Sequence, residues 1–325
     1  LGPLPKVMVI DGGFSTQLSC HVGKNIDGDP LWSARFLHTN PKEVVNTHLD
    51  FLRAGSDAIM TNSYQASVDG FVKHLGVTPE EGLALIRLSV DLAKRARDIY
   101  IEECRENNVS VTPPKIVGSI GPYGACLHDG SEYSGNYADK VPAETLREWH
   151  NPRLKALIEG GVDLIAFETI PCLLEAEILV EMLKEYPTAK AWLSFSCGDA
   201  FSLVHGENFQ EAAKKCWDMN SFQLVAVGTN CCSPFKIASL FRNFNRDRSY
   251  EPIPLIAYPN SGEQYSPELG WTGDGINEGI ETFVTDWLDM GVRYIGGCCR
   301  TYSTDITRIK KQVDTWLDRK KFEEK

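Results

Sequence analysis

Two short apolar runs in the chain end in paired cysteines: Val225-Ala226-Val227-Gly228-Thr229-Asn230-Cys231-Cys232 and Tyr294-Ile295-Gly296-Gly297-Cys298-Cys299-Arg300. Each reads as a strand that delivers a thiol at its C-terminal end, where the backbone turns. Three thiolates converging there, Cys231, Cys298 and Cys299, suit a Zn2+ ion that keeps one coordination position open, which is the pattern of a catalytic site. A thiol entering that position would lose its proton at neutral pH, although a free thiol has a pKa of about 8.5. Isolated cysteines are common core residues. Cys20, Cys104, Cys126, Cys172, Cys197 and Cys216 are read as core or surface thiols, and Cys232 adjoins the cluster without an assigned role.

Other strand ends carry carboxylates. Asp11 precedes Gly12-Gly13, and Glu168 lies in Phe167-Glu168-Thr169. Two carboxylates over one pocket can act as general acid and base, or can grip the ammonium group of an amino acid. Thr61-Asn62-Ser63-Tyr64 ends another strand and offers polar groups at the same face. The chain has no G-x-S-x-G elbow, no P-loop lysine motif and no G-x-G-x-x-G after a strand, and none of its seven histidines forms H-x-H or H-E-x-x-H. A hydrolytic zinc enzyme with histidine ligands is therefore disfavoured, and an all-sulfur site suits thiol activation better than water activation.

These groups need a scaffold that brings several strand ends to one face. The pattern reads strand then helix, eight times. The predicted strands are Lys6–Ile10, Asp57–Met60, Lys115–Ser119, Asp163–Phe167, Lys190–Phe195, Leu224–Gly228, Pro254–Tyr258 and Arg293–Ile295. Asn40-Pro41-Lys42-Glu43 opens the first helix, with Asn40 as its cap. Thr78-Pro79-Glu80-Glu81 is a capping box for a long helix whose face carries Leu85, Leu88, Leu92, Ala96 and Ile99. The last helix presents Ile306, Ile309, Val313 and Leu317, and the charged tail 318–325 is expected to fray. A weak repeat recurs at helix ends: Arg53-Ala54-Gly55-Ser56-Asp57, Glu159-Gly160-Gly161-Val162-Asp163 and Asp289-Met290-Gly291-Val292-Arg293. The strands are apolar at nearly every position, as in a parallel sheet covered on both faces. The expectation is a single (β/α)8 barrel domain over 1–325, with its active face where the long segments 12–39, 120–142 and 259–278 follow strands.

A net charge of −11 disfavours a nucleic-acid partner, and no apolar run reaches membrane-span length. The start, Leu1-Gly2-Pro3-Leu4-Pro5, has neither an initiator Met nor a signal pattern and reads as a trimmed start. Ten cysteines in a chain of 325 residues fit free thiols in a reducing compartment, the cytosol, better than a disulfide scaffold. The partners expected are small molecules, for a monomer or small homo-oligomer.

The sequence resembles the homocysteine S-methyltransferase family. The pieces that carry the resemblance are Asp11-Gly12-Gly13-Phe14-Ser15-Thr16-Gln17-Leu18, Thr61-Asn62-Ser63-Tyr64-Gln65-Ala66-Ser67, Gly118-Ser119-Ile120-Gly121-Pro122, Phe167-Glu168-Thr169-Ile170-Pro171, Gly228-Thr229-Asn230-Cys231 and Gly296-Gly297-Cys298-Cys299. They follow the family order over almost the whole chain. The resemblance implies a (β/α)8 barrel and zinc held by Cys231, Cys298 and Cys299. It implies that Asp11 and Glu168 bind the amino group of homocysteine, and that Thr61, Ser63, Tyr64 and Asn230 belong to the substrate site. The implied reaction gives methionine by methyl transfer from an onium donor. Without added folate or cobalamin modules, or the long C-terminal extension of betaine-using members, the chain looks most like the group using S-methylmethionine and, less efficiently, S-adenosylmethionine. Some relatives accept selenocysteine. A sulfonium cation favours aromatic faces, and Phe14, Tyr64, Tyr265 and Trp271 are the candidates. The rivals are a betaine-using methyltransferase and, from another class, a non-catalytic thiol-rich zinc or redox-sensing protein.

Overall fold

A computed structural model describes residues 4–23, 26, 28–127, 129–248, 250–266, 270–275 and 279–323. Its strands are β1 (Met8–Val9), β2 (Ala58–Met60), β3 (Lys115–Ile120), β4 (Leu164–Ile170), β5 (Ala191–Phe195), β6 (Leu224–Asn230), β7 (Leu255–Tyr258), β8 (Gln264–Ser266), β9 (Gly270–Thr272) and β10 (Val292–Ile295). All but β8 and β9 form one eight-stranded sheet in the order β1-β10-β7-β6-β5-β4-β3-β2, and every ladder in it is parallel. Helices surround the sheet: α1 (Phe14–Val22), α2 (Phe36–Thr39), α3 (Pro41–Arg53), α4 (Val68–Leu75), α5 (Pro79–Glu106), α6 (Ala143–Glu159), α7 (Leu173–Leu183), α8 (Phe209–Met219), α9 (Pro234–Phe241), α10 (Val284–Asp289) and α11 (Ser303–Glu323). This is the expected (β/α)8 barrel, nearly closed.

Main-chain and side-chain hydrogen bonds through Asp57 and Asp11 close the seam between β1 and β2. The Asp57 N–H donates to the Val9 carbonyl at 2.7 Å, and the Asp57 carboxylate accepts the Val9 N–H at 2.8 Å. One turn further up, the Asp11 carboxylate accepts the Met60 N–H at 2.8 Å. The weak repeat explains the first of these links. Gly55 and Gly161 turn the chain at φ +102° and +81°, conformations open to glycine. The aspartate two residues later then ties down the neighbouring strand. Asp163 repeats the role of Asp57, giving its N–H to the Ile116 carbonyl and accepting the Ile116 N–H, both at 2.8 Å. In the third copy Arg293 replaces the aspartate, and its guanidinium donates to the Leu288 and Val292 carbonyls instead.

The barrel interior is a packed core. Ile10, Val117, Ala166, Trp192, Ile256, Tyr258 and Tyr294 fill it, with Trp192 6.2 Å from Tyr258 and 6.0 Å from Tyr294 between ring centroids. The site therefore sits on a solid floor at the mouth. A second apolar shell joins strands to helices and takes in Ile306, Ile309 and Val313, with Leu317 packed against it.

Several sequence expectations are corrected in detail. The Thr78 capping box is present, but the Asn40 side chain makes no capping bond. Ile99 is exposed. The rest of the predicted face is borne out, with Leu85, Leu92 and Ala96 buried and Leu88 packed against the core, and the 28-residue α5 also buries Ile86, Val90 and Ala93 beside it. The long segments after β1 and β7 contain α1, α2 and an antiparallel hairpin of β8 and β9, and a further helix, α4, lies between β2 and α5. Among the described residues, no helix is long and apolar enough to cross a membrane.

Candidate active site

The two cysteine-bearing strands converge at the barrel mouth. At the end of β6 the backbone of Cys231 adopts φ +50°, and its N–H donates to the Tyr258 carbonyl at 3.1 Å. After β10, the Cys298 N–H donates to the Pro259 carbonyl at 2.7 Å. The strand pair β1 and β10 runs close enough that a Cβ on Gly13 would lie 2.5 Å from the Cys298 carbonyl oxygen, and one on Gly296 2.5 Å from that of Asp11. Only glycine allows this approach, which brings Asp11 and Cys298 to one pocket.

The sulfurs of Cys231, Cys298 and Cys299 lie within 4.8 Å of one another, and all three thiols are free. The Cys298 and Cys299 thiols donate towards Cys231 and hold its pKa well below the ordinary thiol value, helped by a hydrogen bond from Tyr133. Donating to Cys231, together with burial and then the Cys231 charge, in turn pushes Cys298 and Cys299 up. The cluster thus concentrates negative charge on sulfur without a positive partner in the set. Three sulfurs at zinc–thiolate distance from one ion in a tetrahedral arrangement would be separated by roughly 3.8 Å. The spacing and donor type fit a thiophilic ion with a small contraction. Cys232 points elsewhere: its sulfur accepts from Thr229 Oγ1, as does that of Cys197.

The two carboxylates face the same space. Asp11 is buried. One oxygen takes the Met60 N–H, while Oδ1 is buried without a hydrogen-bond partner among the described residues. Glu168 accepts from the Ser119 hydroxyl and, at 3.0 Å, from the Tyr258 hydroxyl. Burial raises the pKa of Asp11 well above the carboxylate range, and the Glu168 charge adds to this. Burial, then the Cys298 charge, pushes Glu168 up to about 7, against the two hydroxyl donors. A cation placed between them would relieve both effects.

Asp11, Phe14, Thr61, Tyr64, Glu168, Cys231, Cys298 and Cys299 all line one cavity, which opens to solvent and with that opening holds about 770 Å³ of empty space. Ser63 and Asn230 are not among its lining residues. Ser63 bonds Thr61 Oγ1 and the Ser119 carbonyl from behind, and Asn230 holds Thr169. Trp271 lies on β9 outside the lining, and Tyr265 lies on β8 with its side chain outside the described residues. The lining also includes Trp32, Ser119, Glu132, Tyr133, Thr169 and Tyr258, to which sequence reasoning gave no role. The length of the segment after β3 was the available signal for Glu132 and Tyr133. Nothing in the sequence pointed to Arg153 on α6. It is buried and donates to the carbonyls of Tyr64 (2.6 Å), Ala66 (2.8 Å) and Gly121 (2.9 Å), clamping the loop that carries Tyr64.

Comparison with known proteins adds a family. A family model described as homocysteine S-methyltransferase matches residues 8–313. The chain is 49% identical over 315 residues to the betaine-homocysteine S-methyltransferase of Drosophila melanogaster, covering 95% of this chain and 94% of the relative. It is 42% identical over 304 residues to the homocysteine S-methyltransferase YbgG of Bacillus subtilis (strain 168), covering 93% of each. Among solved structures, the metallated form of the Escherichia coli homocysteine methyltransferase MmuM superposes with a TM-score of 0.80 at 35% identity, over 95% of this chain and 96% of that one.

Proposed function

The chain belongs to the homocysteine S-methyltransferase family and is a methyltransferase, and from that premise we propose that it moves a methyl group from a sulfonium donor to the sulfur of L-homocysteine, giving methionine. The proposed donor is S-methylmethionine, with S-adenosylmethionine used less well. The observation that carries this reading is the convergence on one cavity of three thiols and two carboxylates, one of which keeps a buried, unpartnered oxygen.

Cys231, Cys298 and Cys299 would hold a Zn2+ ion, which when bound supplies stabilisation of an added thiol as its thiolate. Asp11 Oδ1 and Glu168 take the homocysteine ammonium group, whose N–H donors meet the unpartnered oxygen. Thr61 and Tyr64 line the same cavity and pack the rest of the amino acid. With its amino end fixed, homocysteine presents sulfur to the donor methyl in line. The new S–C bond forms as the donor's S–CH3 bond breaks, and the donor leaves as a neutral thioether. No side chain moves a proton in that step, and Tyr133 holds its phenol hydrogen on Cys231. Phe14, Trp32 and Tyr64 offer aromatic faces to the cation. The rate gain comes from positioning and the exclusion of water.

The similarity to a betaine-using relative supports a second reading in which betaine is the donor. A selenocysteine Se-methyltransferase of Brassica oleracea var. italica, 41% identical over 94% of this chain and 88% of its own, makes selenocysteine an acceptor to include. The test offers S-methylmethionine, S-adenosylmethionine and betaine in parallel, with homocysteine or selenocysteine as acceptor. Methionine from homocysteine with a sulfonium donor supports the proposal; turnover with betaine alone selects the second reading. The free thiols are consistent with the cytosol as the proposed location.

A further inference from the structure

The cavity contains a third carboxylate that the acceptor does not need. Glu132 lies in the short turn Ser131–Tyr133, in the long segment after β3, and lines the same cavity as the thiols. Its neighbour Tyr133 reaches Cys231 with its phenol, which places the turn beside the metal-binding thiols. Glu132 Oε2 is buried and has no hydrogen-bond partner among the described residues. Among the described residues, no Lys, Arg or His lines the cavity. Asp11 and Glu168 reach the cavity from the ends of barrel strands, whereas Glu132 enters from a loop.

Resting on the proposed methyl transfer, we propose that Glu132 selects the methyl donor: its carboxylate takes the primary ammonium group of an amino-acid sulfonium and thereby favours such donors over a betaine. The argument is one of hydrogen bonding. A buried carboxylate oxygen left without a donor is costly, and a primary ammonium brings three N–H donors. A quaternary ammonium brings none. It can neutralise the charge of Glu132 but leaves its oxygen unsatisfied, and sites built to hydrogen-bond a group reject analogues that lack it far more strongly than sites that merely fit a shape. Burial also pushes the Glu132 carboxyl up to about 7, so the empty site carries this group at a cost that a cationic donor removes. The methyl chemistry is that of the proposed reaction: the donor's S–CH3 bond breaks, its electron pair stays on the leaving thioether, and no redox partner is needed.

The experiment compares three donors at saturating homocysteine. These are S-methylmethionine, dimethylsulfoniopropionate (a sulfonium with a carboxylate and no ammonium) and betaine. The wild-type protein is expected to show kcat/KM for S-methylmethionine at least about tenfold above that for dimethylsulfoniopropionate. Glu132→Gln should reduce this ratio at least about tenfold, chiefly through kcat/KM for S-methylmethionine, while leaving the KM for homocysteine and the bound metal unchanged. Glu132→Asp, which keeps the charge, should retain part of the preference, and circular dichroism establishes that both variants fold. Direct calorimetric binding of S-methylmethionine to the wild-type protein, with dimethylsulfoniopropionate as competitor, gives the same comparison without a variant. Equal use of the two sulfonium donors, or an unchanged ratio in a folded Glu132→Gln protein, overturns the assignment of Glu132 while the methyl-transfer reading stands. Failure to methylate homocysteine with any of the three donors removes that reading and this inference with it.

Discussion

Asn230 and Thr169 are held together by two hydrogen bonds of 2.7 Å, the Thr169 N–H donating to Asn230 Oδ1 and Asn230 Nδ2 donating to Thr169 Oγ1. Thr169 has φ +59°, an outlier for a β-branched residue that costs about 1–3 kcal/mol. The same amide accepts from Ser194 Oγ at 2.8 Å and lies 3.8 Å from the Cys298 sulfur. One buried side chain thus links the strand that carries Glu168 to one of the three clustered thiols, and it holds the turn after Glu168 in a conformation that threonine would otherwise leave.

Asn230→Ala should release that turn. Thr169 relaxes, Glu168 loses its fixed place, and kcat/KM for homocysteine should fall about 10–100-fold. Stability should fall by about 1–3 kcal/mol, because buried partners of the amide are left unsatisfied. Steady-state kinetics beside denaturant unfolding test both effects. A variant with wild-type kinetics would show that Thr169 needs no such support.

Asp11→Asn keeps an oxygen for the Met60 N–H and removes the charge offered to an ammonium group. The KM for homocysteine should rise about 10–100-fold, as expected for the loss of a charge-assisted hydrogen bond. The same substitution should have little effect with 4-mercaptobutanoate, an acceptor without the amino group. Equal losses on the two acceptors would contradict ammonium binding at Asp11.

His48 on α3 gives a pH signature. It is buried against Phe14, at 4.8 Å between ring centroids, with both ring nitrogens unpartnered among the described residues, and burial depresses its pKa to about 3. The unfolded chain takes up a proton near pH 6.5 that the folded chain refuses. This residue's contribution to stability is therefore fully present above pH 6.5 and is lost as pH falls towards 3, at up to about 1.36 kcal/mol per pH unit. Glu168 acts in the opposite sense. Its folded pKa is raised from 4.5 to about 7, so its contribution falls as pH rises through that window. The clean readout is the difference between His48→Leu and wild type, which should move in favour of the variant by about 2 kcal/mol between pH 7.5 and pH 5. A difference independent of pH would mean that His48 titrates normally in the fold.

Asp57→Ala tests the seam. The Val9 N–H is left without its acceptor between two strands that share no regular ladder. Stability should drop by about 1–3 kcal/mol, and amide exchange should speed up at Val9 and neighbouring β1 positions ahead of β4 or β5. Unchanged protection in β1 would show that the ladder to β10 suffices.

The barrel was legible because its signals are local. Apolar strands, the Thr78 capping box and the glycine turns at Gly55 and Gly161 each state their own conformation. Cys231, Cys298, Cys299, Asp11 and Glu168 could be nominated because they end strands, and the fold brings them to one cavity. What escaped depends on contacts between distant segments. Arg153 belongs to the site only through the carbonyls it reaches, and Glu132 and Tyr133 only through how their loop returns over the mouth. Strands β4 and β6 run on to Ile170 and Asn230, beyond their predicted ends, because Thr169 and Asn230 brace each other.

The central claim is that homocysteine sulfur joins three cysteine sulfurs on one zinc ion, and X-ray absorption at the zinc edge addresses it most directly. The purified reduced protein should hold about one zinc per chain with three sulfur neighbours at about 2.3 Å, and the sulfur count should rise to four when homocysteine is added. In Cys298→Ser the site should lose zinc or a sulfur neighbour, together with methyl transfer. A protein that makes methionine without zinc, or whose sulfur count does not change when homocysteine binds, would contradict the claim.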